Sequence, residues 1–226
     1  MSHSEVPATI AEIAPDGNLT PRQKRRLLIR MALRRVRPGA GSSRELMRRR
    51  TAMHPWPDLR TILVNIEWAI VGGVATRAYM PERATQDLDV LVKAGDGNRA
   101  LQRLQAAGFA LESELAIPGY QLRSPEGVEI DLLLGNAPWL DEALAQPTKD
   151  PAGYPVLGLP YLVLLKLAAS RAQDVADVSR MLGWASDERL DEVRAVVARY
   201  SPQDAEDLES LTFIGRQERE DPRHDT

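Results

Sequence analysis

The sequence predicts an α+β (α/β) fold, in which a mixed β-sheet is flanked by helices and followed by a helical C-terminal part. Three observations support this prediction. Strand-like runs such as "WAIVGG" and "DLDVLV" alternate with amphipathic helix-like segments in the middle of the chain. A turn signal at Pro125 to Gly127 separates two further strand-like pieces. From Leu159 onward the pattern is helical, and 226 residues suffice for one domain plus a smaller appendage.

Composition divides the chain into four parts. Residues 1–55 form a basic N-terminal extension, expected to be partly disordered because its first 20 residues are polar and "RPGAGSS" separates two short basic helices. Residues 56–145 hold the core and residues 146–214 the helical C-terminal part. Residues 215–226 are charged and are expected to form a flexible tail.

The core elements follow one another along the chain. "DLRTILVNIEWAIVGG" predicts a helix that runs into a short strand, "GGVATRAYM" predicts another helix, and "QDLDVLV" predicts a strand. "GNRALQRLQAAGF" predicts an amphipathic helix that ends at Gly108. "AIPGYQLRSPEGVEIDLLLG" predicts a β-hairpin.

The C-terminal part predicts three helices. The first runs without a break through "LPYLVLLKLAASRAQDVADVSRML", and the second has Ser186 as its N-cap. The third begins with Ser201 as cap and Pro202 at the first helical position.

Composition also excludes several classes of site. Cysteine is absent, which rules out disulfides and thiolate zinc sites and fits a reducing cytoplasm. The histidines are His3, His54 and His224, which argues against Ser-His-Asp catalysis and histidine-rich metal sites. No apolar run approaches the roughly 18 residues of a membrane helix, and the N-terminus lacks the apolar stretch of a signal peptide. We expect a cytoplasmic protein with no membrane partner.

Charge is unevenly distributed along the chain. Residues 1–60 hold 13 Lys and Arg against 5 Asp and Glu, a net charge of +8, which leaves −11 for the remainder. Arginine-rich helices in "RQKRRLLIRMALRRVR" and "RELMRRR" suit RNA or DNA phosphates. The alternative is that they pack on the core as solvated helices or form an extension with little structure.

Asp87 and Asp89 stand out within a run of apolar residues. They are two apart on a predicted strand, so both side chains leave the same face. Gly72 and Gly73 precede them at a predicted strand-to-helix turn, where glycines let backbone N–H groups approach a phosphate. Three other pairs of acids have the same spacing and are expected to lie on the solvated surface; they are Glu112/Glu114, Asp204/Glu206 and Glu218/Glu220.

A third carboxylate, Asp131, lies in the apolar second strand of the predicted hairpin. If this strand lies beside the strand of Asp87 and Asp89, the three carboxylates converge and require cations or protons between them. A divalent metal such as magnesium meets that requirement and prefers carboxylate oxygens. The alternative is that Asp131 ends a strand and caps a turn.

Lys166 is a single charge within "LGLPYLVLLKLAA". On one continuous helix, Lys166, Ser170, Asp174 and Asp177 form one polar stripe. Either this is an ordinary solvated stripe, or Lys166 neutralises a triphosphate while Asp174 orients it and Arg171 adds a second phosphate ligand.

Together, "GGVATRAYMPERATQDLDVLV", "GVEIDLLLG" and "LLKLAASRAQDVADVSRML" resemble the nucleotidyltransferase superfamily of the DNA polymerase β type. The likeness covers roughly residues 56–185 and is greatest to minimal nucleotidyltransferase toxins of the abortive-infection type. It implies a nucleotidyltransferase fold with residues 56–145 as the catalytic core.

The resemblance also implies roles for individual residues. Gly72 and Gly73 would form the triphosphate turn, although many members have Ser where this chain has Gly73. Asp87, Asp89 and Asp131 would hold Mg²⁺ or Mn²⁺, with Asp131 also the candidate base. The other candidate nucleotide-binding residues are Arg77, Thr85, Lys166, Arg171 and Asp174, with Lys166 also a candidate catalytic group.

The implied reaction transfers a nucleoside monophosphate from a nucleoside triphosphate (NTP) to an acceptor hydroxyl. RNA, in particular the 3′ end of a tRNA, is the expected acceptor, and a toxin of this kind would have an antitoxin protein as partner. Two alternatives remain open, which are a catalytically silent binding module of the same fold and a small-molecule (antibiotic) nucleotidyltransferase.

Overall fold

A seven-stranded mixed sheet lies at the centre of the protein. In the computed structural model, the described part of the chain comprises residues 10, 13–14, 18–39, 56–81, 85, 87–150 and 152–219. The strands are β1 (Trp68–Ile70), β2 (Asp87–Lys93), β3 (Ala110–Glu114), β4 (Gly119–Arg123), β5 (Glu129–Gly135), β6 (Thr148–Lys149) and β7 (Pro155–Val156). Their order in the sheet is β3-β4-β5-β2-β1-β7-β6.

The sheet is mixed because two of its neighbouring pairs run parallel. Strand β2 is parallel to β5 and β1 is parallel to β7, whereas the other adjacent pairs are antiparallel. The predicted hairpin is the β4–β5 pair, and Gly127 in its turn has a φ of 85°. Leu88, Val90 and Val92 of β2 are buried with Ile130 and Leu132 of β5 in the hydrophobic core.

Eight α-helices accompany this sheet in the described residues. They are α1 (Pro21–Leu33), α2 (Gly72–Ala75), α3 (Gly97–Ala106), α4 (Leu140–Ala145), α5 (Leu159–Ala169), α6 (Ala172–Trp184), α7 (Asp187–Tyr200) and α8 (Ala205–Arg219). Helices α2, α3 and α4 contact β2, and helices α5 to α8 pack on one another. The predicted fold class, a mixed sheet with flanking helices and a helical C-terminal part, is confirmed.

Helix α1 packs on α5, α6 and α8. It begins with a capping box in which Thr20 and Gln23 each bond the other's backbone. Arg25 is only 2% exposed and donates to Asp207 Oδ2 over 2.8 Å, to Asp204 and to the backbone oxygen of Leu167. Packing on the core, one of the two alternatives for the basic segment, therefore holds for this helix.

The segment before β1 differs from the prediction. Residues 59–66 form successive turns in place of a helix, although Leu59 and Leu63 are buried as a helix pattern would require. Asp58 accepts hydrogen bonds from the backbone and the guanidinium of Arg60, and Asn65 has a φ of 58°. Local side-chain bonds of this kind compete with helix formation.

The continuous helix predicted from residue 159 is wrong, because it divides at Ser170. Ser170 has a φ of 53° and ends α5, and Arg171 is extended and begins α6. Arg25 donates to the Leu167 backbone oxygen and, over 2.9 Å, to Ser170 Oγ. The junction is therefore fixed by a residue 145 positions earlier in the chain, which no local pattern reveals.

Other predicted boundaries agree more closely. Helix α3 is followed by Gly108 with a φ of 91°, and Ser186 caps α7 by accepting from the backbone of Arg189. Ser201 and Pro202 begin a short 3₁₀ helix that leads into α8. Helix α8 continues to Arg219, into the segment expected to be a tail.

Some predictions fall on positions that are not described. The second basic helix, over "RELMRRR", most of the N-terminal lead and residues 220–226 lie outside the described residues. Within the described part of the chain, no helix is long and apolar enough to cross a membrane.

Candidate active site

Two neighbouring parallel strands bring the candidate carboxylates to one face of the sheet. Asp89 of β2 is the direct register partner of Asp131 of β5, and Asp87 is the partner of Glu129. Register partners on adjacent strands point to the same side, and residues two apart on a strand do so as well. The expectation that the strand of Asp131 lies beside that of Asp87 and Asp89 is confirmed.

The carboxylates perturb one another. Burial, followed by the charges of Asp87 and Asp131, raises the pKa of Asp89 to about 6, although Arg171 and Lys166 act in the opposite direction. Burial and the charges of Asp87 and Glu129 also raise the pKa of Asp131. The Oδ1 atom of Asp131 is buried and has no hydrogen-bond partner among the described residues. The site therefore favours a bound cation or proton.

Glu129 is a fourth carboxylate of this site and is not among the residues predicted from the sequence. It accepts a 2.7 Å hydrogen bond from Gln121 Nε2. The signal was present, because Glu129-Ile-Asp131 repeats the spacing of Asp87-Leu-Asp89. Because β2 and β5 are parallel and in register, Asp87 lies beside Glu129 and Asp89 lies beside Asp131.

Gly72 lies directly against Asp89. Its φ is 63°, and a Cβ atom added there would overlap the Oδ2 atom of Asp89. The preceding residue, Val71, donates its backbone N–H to the Asp89 backbone oxygen over 2.9 Å. Glycine is thus required both by the left-handed backbone and by the close carboxylate. Gly73 follows in α2, where its carbonyl accepts from the buried Thr76 hydroxyl.

Thr85 and Arg77 occupy different surroundings. The hydroxyl of Thr85 donates to Asp87 Oδ1 over 2.7 Å, so Thr85 belongs to the carboxylate group. Arg77 instead pairs with Asp150, a buried carboxylate that also accepts from the backbone of Ala152 and Tyr154. A nucleotide-binding role for Arg77 remains a prediction.

Lys166 lies in a buried ion network across the α5–α6 junction. Its Nζ atom is 3.1 Å from Asp174 Oδ1 and 2.8 Å from Asp177 Oδ2, and all three side chains are at most 4% exposed. The solvated-stripe alternative is therefore wrong. Arg171 also pairs with Asp174 at 2.7 Å, but its own side chain is 75% exposed. Of the two cations in this network, Arg171 is therefore the one that a ligand can reach.

Charge complementarity links this network to the carboxylates. The positive charges of Lys166 and Arg171 both act on Asp89, and the Asp89 charge acts on Arg171 in return. The candidate site therefore combines acids from β2 and β5 with the exposed guanidinium of Arg171. Such an arrangement suits a ligand that carries both a divalent cation and phosphates.

The fit of a metal ion depends on the donor set. All the acidic donors are carboxylate oxygens, which Mg²⁺ and Mn²⁺ prefer, and within the described part of the chain Asp131 Oδ1 lacks a hydrogen-bond partner. Among the described residues, however, no group of three or more His, Cys, Asp or Glu side chains is arranged closely enough to hold a metal. The carboxylates lie on one face of the sheet and are of the type that these ions prefer. Their positions do not form a complete coordination shell among the described residues.

Comparisons with known proteins identify similar solved structures. No protein-family model and no curated protein matches the sequence. The chain is similar to the antibiotic-resistance factor ANT(2'')-Ia, with 17% identity and a TM-score of 0.38 over 67% of this chain and 83% of that one. It is also similar to the lincosamide antibiotic adenylyltransferase LnuA with lincomycin bound, with 14% identity and a TM-score of 0.37 over 77% of this chain and 99% of that one.

A third similar structure is terminal uridylyl transferase 4 from Trypanosoma brucei with bound GTP. It has 13% identity and a TM-score of 0.29, over 78% of this chain and 49% of that one. With TM-scores below 0.5, none of these likenesses decides the substrate or the activity of this chain. The functional argument rests on its own residues.

Proposed function

We propose that this protein is a metal-dependent nucleotidyltransferase. One observation carries the proposal, which is the parallel register of Asp89 with Asp131 on a face where Gly72 leaves room for the Asp89 carboxylate. Neighbouring carboxylates that repel one another are costly to a fold unless a cation offsets them. Asp87, Asp89 and Asp131 are the proposed metal ligands, and Mg²⁺ or Mn²⁺, when bound, would neutralise charge on the triphosphate and the attacking oxygen.

The groups proposed to bind phosphate include cations whose charges act on Asp89. Arg171 is exposed and is held by Asp174, so its guanidinium is oriented before a ligand arrives. Lys166 is buried between Asp174 and Asp177, which makes it a positioning residue for this network. Gly72 and Gly73 would allow the backbone to approach the triphosphate. Thr85 would orient Asp87 through their hydrogen bond.

The proposed reaction is an in-line displacement. The acceptor hydroxyl oxygen forms a bond to the α-phosphorus, and the bond from that phosphorus to the bridging oxygen of pyrophosphate breaks. Asp131 accepts the hydroxyl proton, a role that its raised pKa and its unpartnered oxygen suit. Pyrophosphate leaves, and the exposed Arg171 offsets negative charge on the transferred α-phosphate.

We further propose that the acceptor is RNA, with the 3′ end of a tRNA as the first candidate from the motif resemblance. A toxin function, with an antitoxin protein as partner, is the corresponding biological role. Among the similar solved structures, the names of ANT(2'')-Ia and LnuA refer to antibiotics and the third to terminal uridylyl transfer, so a small-molecule acceptor is the direct rival.

A silent binding module is the rival from a different functional class. It is favoured by the incomplete metal cage among the described residues. Isothermal titration with ATP, in the presence of Mg²⁺ and then of EDTA, separates the two. The proposal expects binding that requires Mg²⁺ and is lost in Asp89→Asn, while the control Glu114→Gln, an exposed acid of the same sheet, binds as the wild type does. Binding that is independent of Mg²⁺ and of Asp89 would indicate the silent module.

The acceptor is identified by incubating the protein with labelled nucleoside triphosphates and total RNA. Labelled RNA is the expected result. Labelled protein, or label transferred only to an added antibiotic such as tobramycin or lincomycin, would contradict the RNA assignment without affecting the proposed chemistry.

A further inference from the structure

Helix α1 uses its two sides differently. Arg25 and Ile29 face inward and are buried, so one side of the helix is structural. The cations on the other side, and just after the helix, are exposed and form no ion pair with any described residue; they are Lys24, Arg30, Arg34, Arg35 and Arg37. The side that carries them remains available to a polyanion.

A pocket opens between the start of α1 and the α5–α6 junction. Its volume is about 420 Å³, which lies in the range of pockets that hold small organic groups. Its wall is largely apolar and includes Leu19, Leu28, Ala169 and Ala172. Two cationic side chains, Lys24 and Arg171, also line it. A planar apolar ring attached to an anionic group fits these surroundings.

Arg171 connects this pocket to the candidate active site. Arg171 lines the pocket, and its guanidinium pairs with Asp174 and interacts electrostatically with Asp89. A group seated in the pocket therefore contacts a residue whose charge acts on Asp89. That position suits the acceptor of a transfer reaction.

The cations of α1 extend away from the pocket along one side of the helix. Lys24, Leu28 and Met31 are separated by steps of four and three, which places them on a common face, and Arg35 lies in the turn just after the helix. Lys24 and Met31 are about 10 Å apart along the helix axis, and Arg35 follows beyond the end of the helix. A nucleic acid strand lying on this face would meet a cation at each end and apolar side chains between them.

We propose that this pocket seats the terminal nucleotide of a single-stranded RNA, with the preceding phosphates lying along the exposed face of α1. This inference rests on the proposed function for the role of the RNA as acceptor. Charge separates it from the rival acceptor, because aminoglycosides are polycations and would be repelled by Lys24, Arg171 and the α1 arginines.

The binding test needs neither triphosphate nor catalysis. Anisotropy of a 5′-fluorescein-labelled 12-nucleotide RNA is measured against the full-length protein between 50 and 200 mM salt. Leu28→Trp fills the pocket and is expected to raise Kd at least tenfold. The matched control, Leu33→Trp on the same helix but outside the pocket lining, leaves Kd within twofold. A circular form of the same RNA should bind the wild type as weakly as linear RNA binds Leu28→Trp.

The phosphate contacts are tested separately on the protein surface. Lys24→Glu combined with Arg35→Glu is expected to lower the slope of log K against log salt by about 1.4, since each single-strand phosphate contact contributes about 0.7. Lys149→Glu combined with Arg189→Glu, which reverses two exposed cations outside α1, should leave the slope unchanged.

Three results would overturn the inference. They are an unchanged Kd in folded Leu28→Trp, an unchanged slope in the folded double variant, and calorimetric binding of tobramycin that Leu28→Trp abolishes. Mg²⁺-dependent ATP binding, measured on the same variants, keeps the two proposals distinct. If the variants keep both Mg²⁺-dependent ATP binding and RNA binding, only this inference is rejected. If the wild type shows no Mg²⁺-dependent ATP binding, the proposed function is rejected.

Discussion

At the end of β1, the Asp89 carboxylate occupies the space that a Cβ atom at residue 72 would need. Replacing Gly72 with Ala imposes a left-handed φ on a residue with a Cβ and forces that atom onto the Asp89 carboxylate. We expect Gly72→Ala to lower the free energy of unfolding by about 2–4 kcal/mol. Gly95→Ala is the matched control, because a Cβ there meets nothing within 4 Å. Urea denaturation measures both, and equal losses would contradict the close approach.

Asp89 is expected to oppose folding when no metal is bound. Burial and the charges of Asp87 and Asp131 raise its pKa to about 6, so its ionisation at neutral pH is penalised in the folded state. Asp89→Asn should therefore raise the free energy of unfolding by about 1–3 kcal/mol in EDTA at pH 7.5. The same variant should lose Mg²⁺-dependent ATP binding. A gain in stability with a loss of function is expected where a functional group destabilises the fold.

Urea titrations of wild type and Asp89→Asn in EDTA measure this difference, and Glu114→Gln serves as the control. A loss of stability in Asp89→Asn, with no change in the control, would mean that the carboxylate has a favourable partner within the fold. The repulsion argument would then be wrong.

The α5–α6 junction depends on a charge network between two helices. Burial opposes ionisation of Asp174, but the hydrogen bond from Arg171 and the charge of Lys166 outweigh it and hold its pKa below the ordinary value. Its stabilising contribution is therefore complete above about pH 4, the unfolded value, and is lost as pH falls through the lower folded value. Asp177 also contacts Lys166 and shares the network.

Asp174→Asn should destabilise the protein by about 2–3 kcal/mol at pH 7, because Lys166 keeps only one buried partner. The penalty should shrink as the pH is lowered below about 4, since wild-type Asp174 then becomes neutral as well. Thermal unfolding at several pH values measures this, with the exposed Asp141→Asn as control. A penalty that is independent of pH would show that the loss arises from packing instead of charge.

The N-terminal helix and the C-terminal helices form one structural unit through Arg25. Asp204, which the sequence spacing assigned to solvated surface, is 6% exposed and pairs with this arginine, as does Asp207. Removing a buried partner leaves charges without compensation. Deleting the N-terminal extension would therefore lower stability as well as remove the exposed cations of α1.

Arg25→Met should lower the free energy of unfolding by about 3–5 kcal/mol. Arg30→Met, an exposed position on the same helix, should change it by less than about 0.5 kcal/mol. Adding Asp204→Asn and Asp207→Asn to Arg25→Met should recover part of the loss, because these carboxylates have lost Arg25 and keep the longer ion pairs with Arg22 and Arg26, both at 3.4 Å. Urea denaturation of the four proteins gives the comparison, and similar effects at Arg25 and Arg30 would contradict the burial argument.

The sequence by itself determined the local elements of the site. A period of two put Asp87 and Asp89 on one face of a strand, Gly127 marked the hairpin turn, and Gly108 marked the end of α3. These features depend on neighbouring residues, which a linear pattern records. The apolar pattern around Leu59 and Leu63 correctly indicated burial but not helix, because burial is compatible with turns as well.

Only the tertiary structure decided how these elements meet. The pairing of β2 with β5 set Asp131 opposite Asp89 and added Glu129, since strand neighbours are chosen by the packing of the whole sheet. Arg25 fixed the break at Ser170 from 145 residues away. That contact exists because a buried arginine must satisfy its hydrogen bonds, and its acceptors are supplied by α5, α8 and the turn between α7 and α8, which are distant from it in the chain.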